Sequence, residues 1–157
     1  MAPEVRPIAW VRSTRTELVD DGWDAERATI ELDASVPDEA LVGLEGFSHL
    51  DVVFFFDRAS DVPPGPFARH PRGEVRWPRV GIFAQRAKDR PNRLGLTTCA
   101  IVEVRPRRVD VVGLDAVDGT PVVDLKPHVR ELGARGEVRQ PVWMDELMAG
   151  YFEDAAP

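Results

Sequence analysis

The feature that most constrains this chain is a succession of short runs rich in β-branched and aromatic residues. They are Leu50 through Phe56, Leu96 through Val104, Val109 through Leu114 and Val122 through Lys126. Branching at Cβ stiffens χ1 and suits these side chains to a pleated surface, so each run reads as a strand. The connection Arg105-Pro106-Arg107-Arg108 is a turn too short for a crossover, so the second and third runs pair as an antiparallel hairpin. Asp118-Gly119 supplies the turn ahead of Val122 through Lys126. Two further strands, Ile8 to Arg12 and Ala28 to Leu32, flank the polar turn Asp20-Asp21-Gly22-Trp23-Asp24. The expected fold is all-β, a compact antiparallel barrel. With 157 residues there is material for one ordinary core, so residues 1–157 read as one domain with its core over about 5–130.

Other segments break this period. Gly43 and Gly46 limit any helix starting near Ser35 or Asp38 to a turn or two. Residues 59–79 hold Pro63, Pro64, Pro66, Pro71 and Pro78, which predicts a long, mobile surface loop. After Pro141, Trp143, Leu147 and Tyr151 recur every four residues beside Met144, Met148 and Phe152. That stripe predicts a C-terminal amphipathic helix over 140–152, about four turns long, packed on the barrel or on a second subunit.

Charge is unevenly placed. Lys and Arg total 20 against 27 Asp and Glu, a net −7 that argues against a generally basic nucleic-acid coat. Residues 69–93 alone carry +6, leaving −13 on the rest, so a focused anion-attracting segment lies within an acidic chain. The longest apolar run, Val52 to Phe56, is far below the roughly 20 residues of a membrane helix, and no signal-like start is evident. No membrane association is expected. A single cysteine and three scattered histidines leave no disulfide framework and little material for a metal site, so no metal is expected.

Two polar motifs stand out. The first runs from Gly81 through Gln85, Arg86, Arg90, Asn92 and Arg93 to Gly95 and Leu96, an apolar lead-in followed by cations. It reads either as a loop that recognises carboxylate, phosphate or base edges, or as a solvated charge cluster. The second, Gly113 to His128, places Asp118 at a turn and Asp124 with Lys126 on one strand face. These form a shared site, or Asp118 bonds its own turn and Asp124 with Lys126 is a fastening ion pair. Cys99 reads as a core residue, and Trp23, Trp77 and Tyr151 as base-stacking candidates or packing residues.

The two motifs, with Ile8, Arg12-Ser13 and Gly46-Phe47-Ser48-His49-Leu50, resemble the TsaA-like family over nearly the whole chain. Its characterised members are S-adenosylmethionine-dependent methyltransferases acting on N6 of threonylcarbamoyladenosine at position 37 of tRNA. The resemblance implies an antiparallel barrel working as a homodimer, with cofactor near the subunit interface and tRNA as partner in the cytoplasm. It places cofactor contacts at Asp57, Arg58, Arg86, Leu96, Gly113, Leu114 and Asp115, with Asn92, Asp118 and Lys126 as further motif residues. Asp118, Asp124 and His128 are the candidates to orient the acceptor nitrogen or take its proton. A lone histidine after a strand is more often a surface or packing residue than a catalyst, which is the competing reading of His128 and holds more strongly for His49 and His70.

The chain departs from the usual family pattern at Arg90-Pro91-Asn92-Arg93 in place of Arg-Pro-Asn-Pro, and at Ala84-Gln85-Arg86 in place of Ala-Thr-Arg. Lys126-Pro127-His128 replaces Lys-Pro-Tyr, Ser13-Thr14 replaces Ser-Pro, and Asp20 to Trp23 replaces a Pro-Gly loop. Two alternatives therefore stand beside tRNA methylation: methylation of a small metabolite, and a cofactor-binding scaffold without transfer. Under the tRNA reading, Arg72, Arg76 and Arg79 are the expected phosphate contacts.

Overall fold

The computed structural model describes residues 4–59 and 66–153. Six strands close a barrel: β1 (Ala9–Ser13), β2 (Arg27–Leu32), β3 (His49–Phe55), β6 (Leu94–Arg105), β7 (Arg108–Val112) and β8 (Pro121–Pro127). Their order round the wall is β1-β2-β7-β6-β3-β8, every pairing is antiparallel, and β8 closes on β1. β4 (Ala68–Arg69) and β5 (Val80–Gly81) form a separate small ribbon. The antiparallel barrel read from the sequence is the observed fold.

The period of two decides the core. Val11 of β1, Ile30 of β2, Leu50, Val52 and Phe54 of β3, and Val109 and Val111 of β7 point inward and are essentially buried, with outward partners between them. Extra residues at Val102 in β6, against β7, and at Val123 in β8, against β3, bend the wall, as closure of so small a barrel requires. Gly95 lies opposite Phe54, and a Cβ there would sit 2.5 Å from the Phe54 ring, so this glycine makes room for the core's largest buried side chain. The turn Pro106-Arg107 joins β6 to β7 with Arg107 at φ 65°, and its guanidinium donates to the carbonyls of Leu32, Asp33 and Val36.

The C-terminal helix α1 (Val142–Met148) is half the expected length. Ala149 leaves helical geometry and Gly150 takes φ 79°, after which the backbone turns to accept hydrogen bonds. Tyr151 O accepts from the amides of Gly22 and Trp23, and Phe152 O from that of Asp24. Tertiary pairing with the 20–24 turn thus wins over continuation of the stripe. The loop expected over 59–79 falls partly on 60–65, outside the described residues. Its described part carries the β4 strand and a 3-10 turn at Pro71–Gly73. No helix among the described residues is long and apolar enough to cross a membrane.

Candidate functional site

β6 is 12 residues long, and β7 pairs with it only from Ala100 onward. Residues 94–99 therefore have β3 on one side and no strand on the other. The first polar motif fills that edge. Ile82 and Gln85, both buried, pin the 3-10 turn Ile82–Ala84, and Gln85 Nε2 donates to the carbonyls of Arg69 and Val80. From this anchored turn Arg86 reaches across and donates from Nη2 to Leu96 O. Arg90 bonds Gln85 O at 2.9 Å. Asn92 and Arg93 then adopt φ 62° and 47°, a left-handed corner. Arg93 at that φ is a conformation proline cannot take. Its guanidinium lies over the Phe55 ring and donates to Ala59 O, tying the start of β6 to the end of β3.

Other candidates converge on the same end of the barrel. Asp57 and Arg58 follow β3, and Arg58 donates to Thr16 O at 2.7 Å and Asp118 O at 3.0 Å. The Asp118 carboxylate accepts the Ser13 amide of β1 at 3.1 Å, so it ties down a neighbouring strand rather than the amides of its own turn. Beside Thr16 an open depression of ≈ 370 Å³ is lined by Thr14, Arg15, Thr16, Glu17 and Val19. Gly113, at φ 83°, starts the stretch that runs beside the free part of β6. The Leu114 side chain is fully buried, leaving only its backbone for a ligand. Asp115 accepts the hydroxyls of Thr97 and Tyr151, one on each oxygen. Burial and the Asp115 charge push the Tyr151 hydroxyl well above the usual phenol range, so it stays a donor.

The remaining candidates lie elsewhere. Asp124 and Lys126 form an exposed ion pair at 2.6 Å on the outer face of β8. His128 sits at the far end of β8, its Nδ1 3.0 Å from Asp51, which also accepts from Thr98 at 2.6 Å. Since β8 spans seven residues at about 3.3 Å each, Asp118 and His128 are roughly 20 Å apart and do not share a site within one chain.

The basic segment is mostly tied down. Arg72 bridges to Asp21 at 2.8 Å and Asp20 at 3.7 Å, and the hydrogen bond to Asp21 raises its pKa further. Arg72 is therefore a fold contact and is removed from the expected phosphate set. Arg69 donates to Asp89 O, and Arg76 lies 4.7 Å from the Trp77 ring. Arg79 is exposed and forms no ion pair among the described residues. The aromatic candidates are also structural. Trp23 is buried beneath Arg15, Trp77 is buried with Nε1 on Glu146 at 2.7 Å, and Tyr151 is held by Asp115. Among the described residues no group of three His, Cys, Asp or Glu is arranged to hold a metal ion.

Comparison with known proteins bears directly on this edge. Residues 19–134 match the family model of the tRNA-methyltransferase O N-terminal domain, a span that contains the long strand, the Arg86 loop and Gly113 to Asp118. The chain belongs to that family. The human tRNA (adenine(37)-N6)-methyltransferase is 32% identical over 106 residues, covering 68% of this chain and 24% of the human protein. A Pseudomonas aeruginosa protein described as a putative S-adenosylmethionine-dependent methyltransferase, RcsF, is 36% identical over 141 residues, covering 82% of this chain and 56% of its own length. The chain thus spans from a quarter to a little over half of these relatives. The crystal structure of TrmO from Pseudomonas aeruginosa superposes with a TM-score of 0.71 at 32% identity, over 88% of this chain and 62% of that one. A tRNA-methyltransferase O N-terminal domain is thereby assigned on both sequence and fold.

Proposed function

We propose that this single domain is an S-adenosylmethionine-dependent N-methyltransferase acting on N6 of threonylcarbamoyladenosine at position 37 of tRNA. The observation that carries the reading is the convergence of Arg86, Leu96, Asp57, Arg58 and Asp118 at one barrel end, within the span that matches the family. The donor set fits the cofactor. Asp57 is an exposed carboxylate without a side-chain partner among the described residues, suited to a ribose diol or an ammonium. Arg58 and Arg86 retain N–H groups beyond those given to carbonyls, suited to a carboxylate tail. Exposed Leu96 and the open space over Gly113 offer an apolar face and room for an adenine. S-adenosylmethionine supplies a methyl group on a positively charged sulfur.

In this scheme the chain's own work is positioning. Arg86, braced on Leu96 O, holds the amino-acid tail, and Asp57 holds the ribose. Asp118 has one oxygen on the Ser13 amide and no hydrogen-bond or ion-pair partner for the other among the described residues; it orients the acceptor nitrogen and takes its proton. Asp115, with both oxygens engaged, keeps the Gly113 to Asp115 backbone against β6 rather than binding ligand by its side chain. Lys126, Asp124 and His128 on the outer wall take part only across a subunit boundary. Leu94 and Leu96 are exposed on that wall beside β3, an apolar strip that suits a homodimer. A tRNA substrate agrees with work in the cytoplasm.

Mass spectrometry of tRNA nucleosides from a deletion strain tests the reading. Loss of the methyl group from modified adenosine, restored by this chain, is expected, and an unchanged nucleoside profile refutes it. Calorimetry with S-adenosylmethionine and turnover of the cofactor in cell extract separate the alternatives: binding and turnover without a tRNA effect point to a metabolite acceptor, binding without turnover to a cofactor-binding scaffold, and no binding refutes all three. Charge reversal at Arg76 and Arg79 is expected to weaken tRNA binding and lower its salt slope by about 1 per lost phosphate contact.

A further inference from the structure

Phe83 is the most exposed aromatic residue among those described, at 80%, yet its attachment is rigid. It sits between buried Ile82 and a short step from buried Gln85, whose side-chain amide is bonded to two carbonyls of the neighbouring ribbon. A ring held in water on so well-fixed a turn gains nothing for the fold of one chain. Phe67, 65% exposed, stands on the same small ribbon, its carbonyl accepting from Ile82 N at 2.8 Å where β4 and β5 meet. Three residues after Phe83, Arg86 enters the cofactor site, and three residues before Ile82, Arg79 stands exposed and unpaired among the described residues. The aromatic residues that the sequence offered for stacking, Trp23, Trp77 and Tyr151, are all engaged internally.

We propose that Phe83 is the platform on which an unpaired nucleobase of the substrate stacks, while Arg79 meets the adjoining phosphate. This rests on the tRNA reading above and names the contact that presents the base. Aromatic faces accept any base, so the contact provides affinity and orientation, and flanking cations add the charge complementarity that an RNA strand needs. The ring stands on the loop that carries Arg86, so a base stacked there is delivered to the site at which the methyl donor is held.

The test is fluorescence anisotropy with a labelled anticodon stem–loop RNA, beside a second RNA abasic at the nucleotide to be modified, with sedimentation of each protein. Phe83→Ala is expected to weaken binding of the intact RNA about 5- to 150-fold, leave its salt slope unchanged, and have little effect on the abasic RNA. Phe83→Trp is expected to retain affinity. Arg79→Glu is expected to flatten the salt slope. Wild-type affinity in Phe83→Ala, an equal loss on both RNAs, or a change in its oligomeric state overturns the stacking role alone. If the wild-type chain binds S-adenosylmethionine but neither RNA, the tRNA reading and the platform fall together.

Discussion

Replacing Gly95 with alanine tests the central packing relation of the barrel. The new Cβ would lie 2.5 Å from Cε2 and Cζ of Phe54, nearly 1 Å inside ordinary contact. Phe54 has nowhere to go, because its ring is buried and meets Phe56 edge-on at 5.2 Å. Relief requires an off-rotamer ring or a wider β3–β6 spacing. Overpacking of this kind costs about 1–3 kcal/mol, and an overlap with a rigid ring belongs at about 3. Removing glycine from a strand returns roughly 0.5–1 kcal/mol of chain entropy, so the net loss is about 2 kcal/mol. At this chain length that lowers Tm by about 4–8 °C in calorimetry. Phe54→Leu in the same background removes the clashing atoms, so the double variant should lose at least about 1 kcal/mol less than the two single losses together. An unchanged Tm in Gly95→Ala, or strict additivity in the double variant, would refute the argument that Gly95 exists for the Phe54 ring.

Three further outcomes follow from the site and its supports. Burial, then the charges of Asp115 and Asp51, pushes the Cys99 thiol up to about 12, so native protein at pH 8 should resist iodoacetamide and react only at its unfolding rate; prompt alkylation would contradict this. Tyr151→Phe leaves one oxygen of half-buried Asp115 without its donor and should cost about 1–3 kcal/mol by urea denaturation. Because the folded pKa of Tyr151 lies above the unfolded one, near 10, wild-type stability from this group is complete below pH 10 and declines above it; the Phe variant should lack that alkaline decline, and an identical decline would count against it. Arg86→Ala should weaken S-adenosylmethionine binding about 10- to 150-fold by calorimetry, from a lost charged hydrogen bond; wild-type affinity would remove Arg86 from the site.

The strands were legible because their chemistry is local. Leu50 to Phe56 and Val109 to Leu114 carry a period of two that has no other outlet, and the short turn at Arg105 to Arg108 permits only a hairpin. Asp57, Arg58, Arg86 and Asp118 were nameable from motifs that keep their order along the chain. Phe83 was missed because an exposed phenylalanine and a core one look alike in sequence; exposure is a property of what else packs nearby. Trp23, Trp77 and Arg72 misled for the converse reason, since their partners Arg15, Glu146 and Asp21 lie far off in sequence or give no local signal. The C-terminal stripe promised four turns and delivered two, because bonds to the 20–24 turn outweigh the few tenths of a kcal/mol each further helical pair adds.

The sequence by itself therefore determined the element types, the antiparallel class and the family, all of which depend on neighbours within a few residues or on motif order. Only the tertiary structure decided that β8 closes on β1, that β6 outruns β7 to leave an edge for Arg86, and that Asp118 and His128 stand at opposite ends of one strand. Those facts depend on register and closure, which are set by the whole core at once: Phe54 against Gly95, with bulges in β8 and β6 bending the wall to fit.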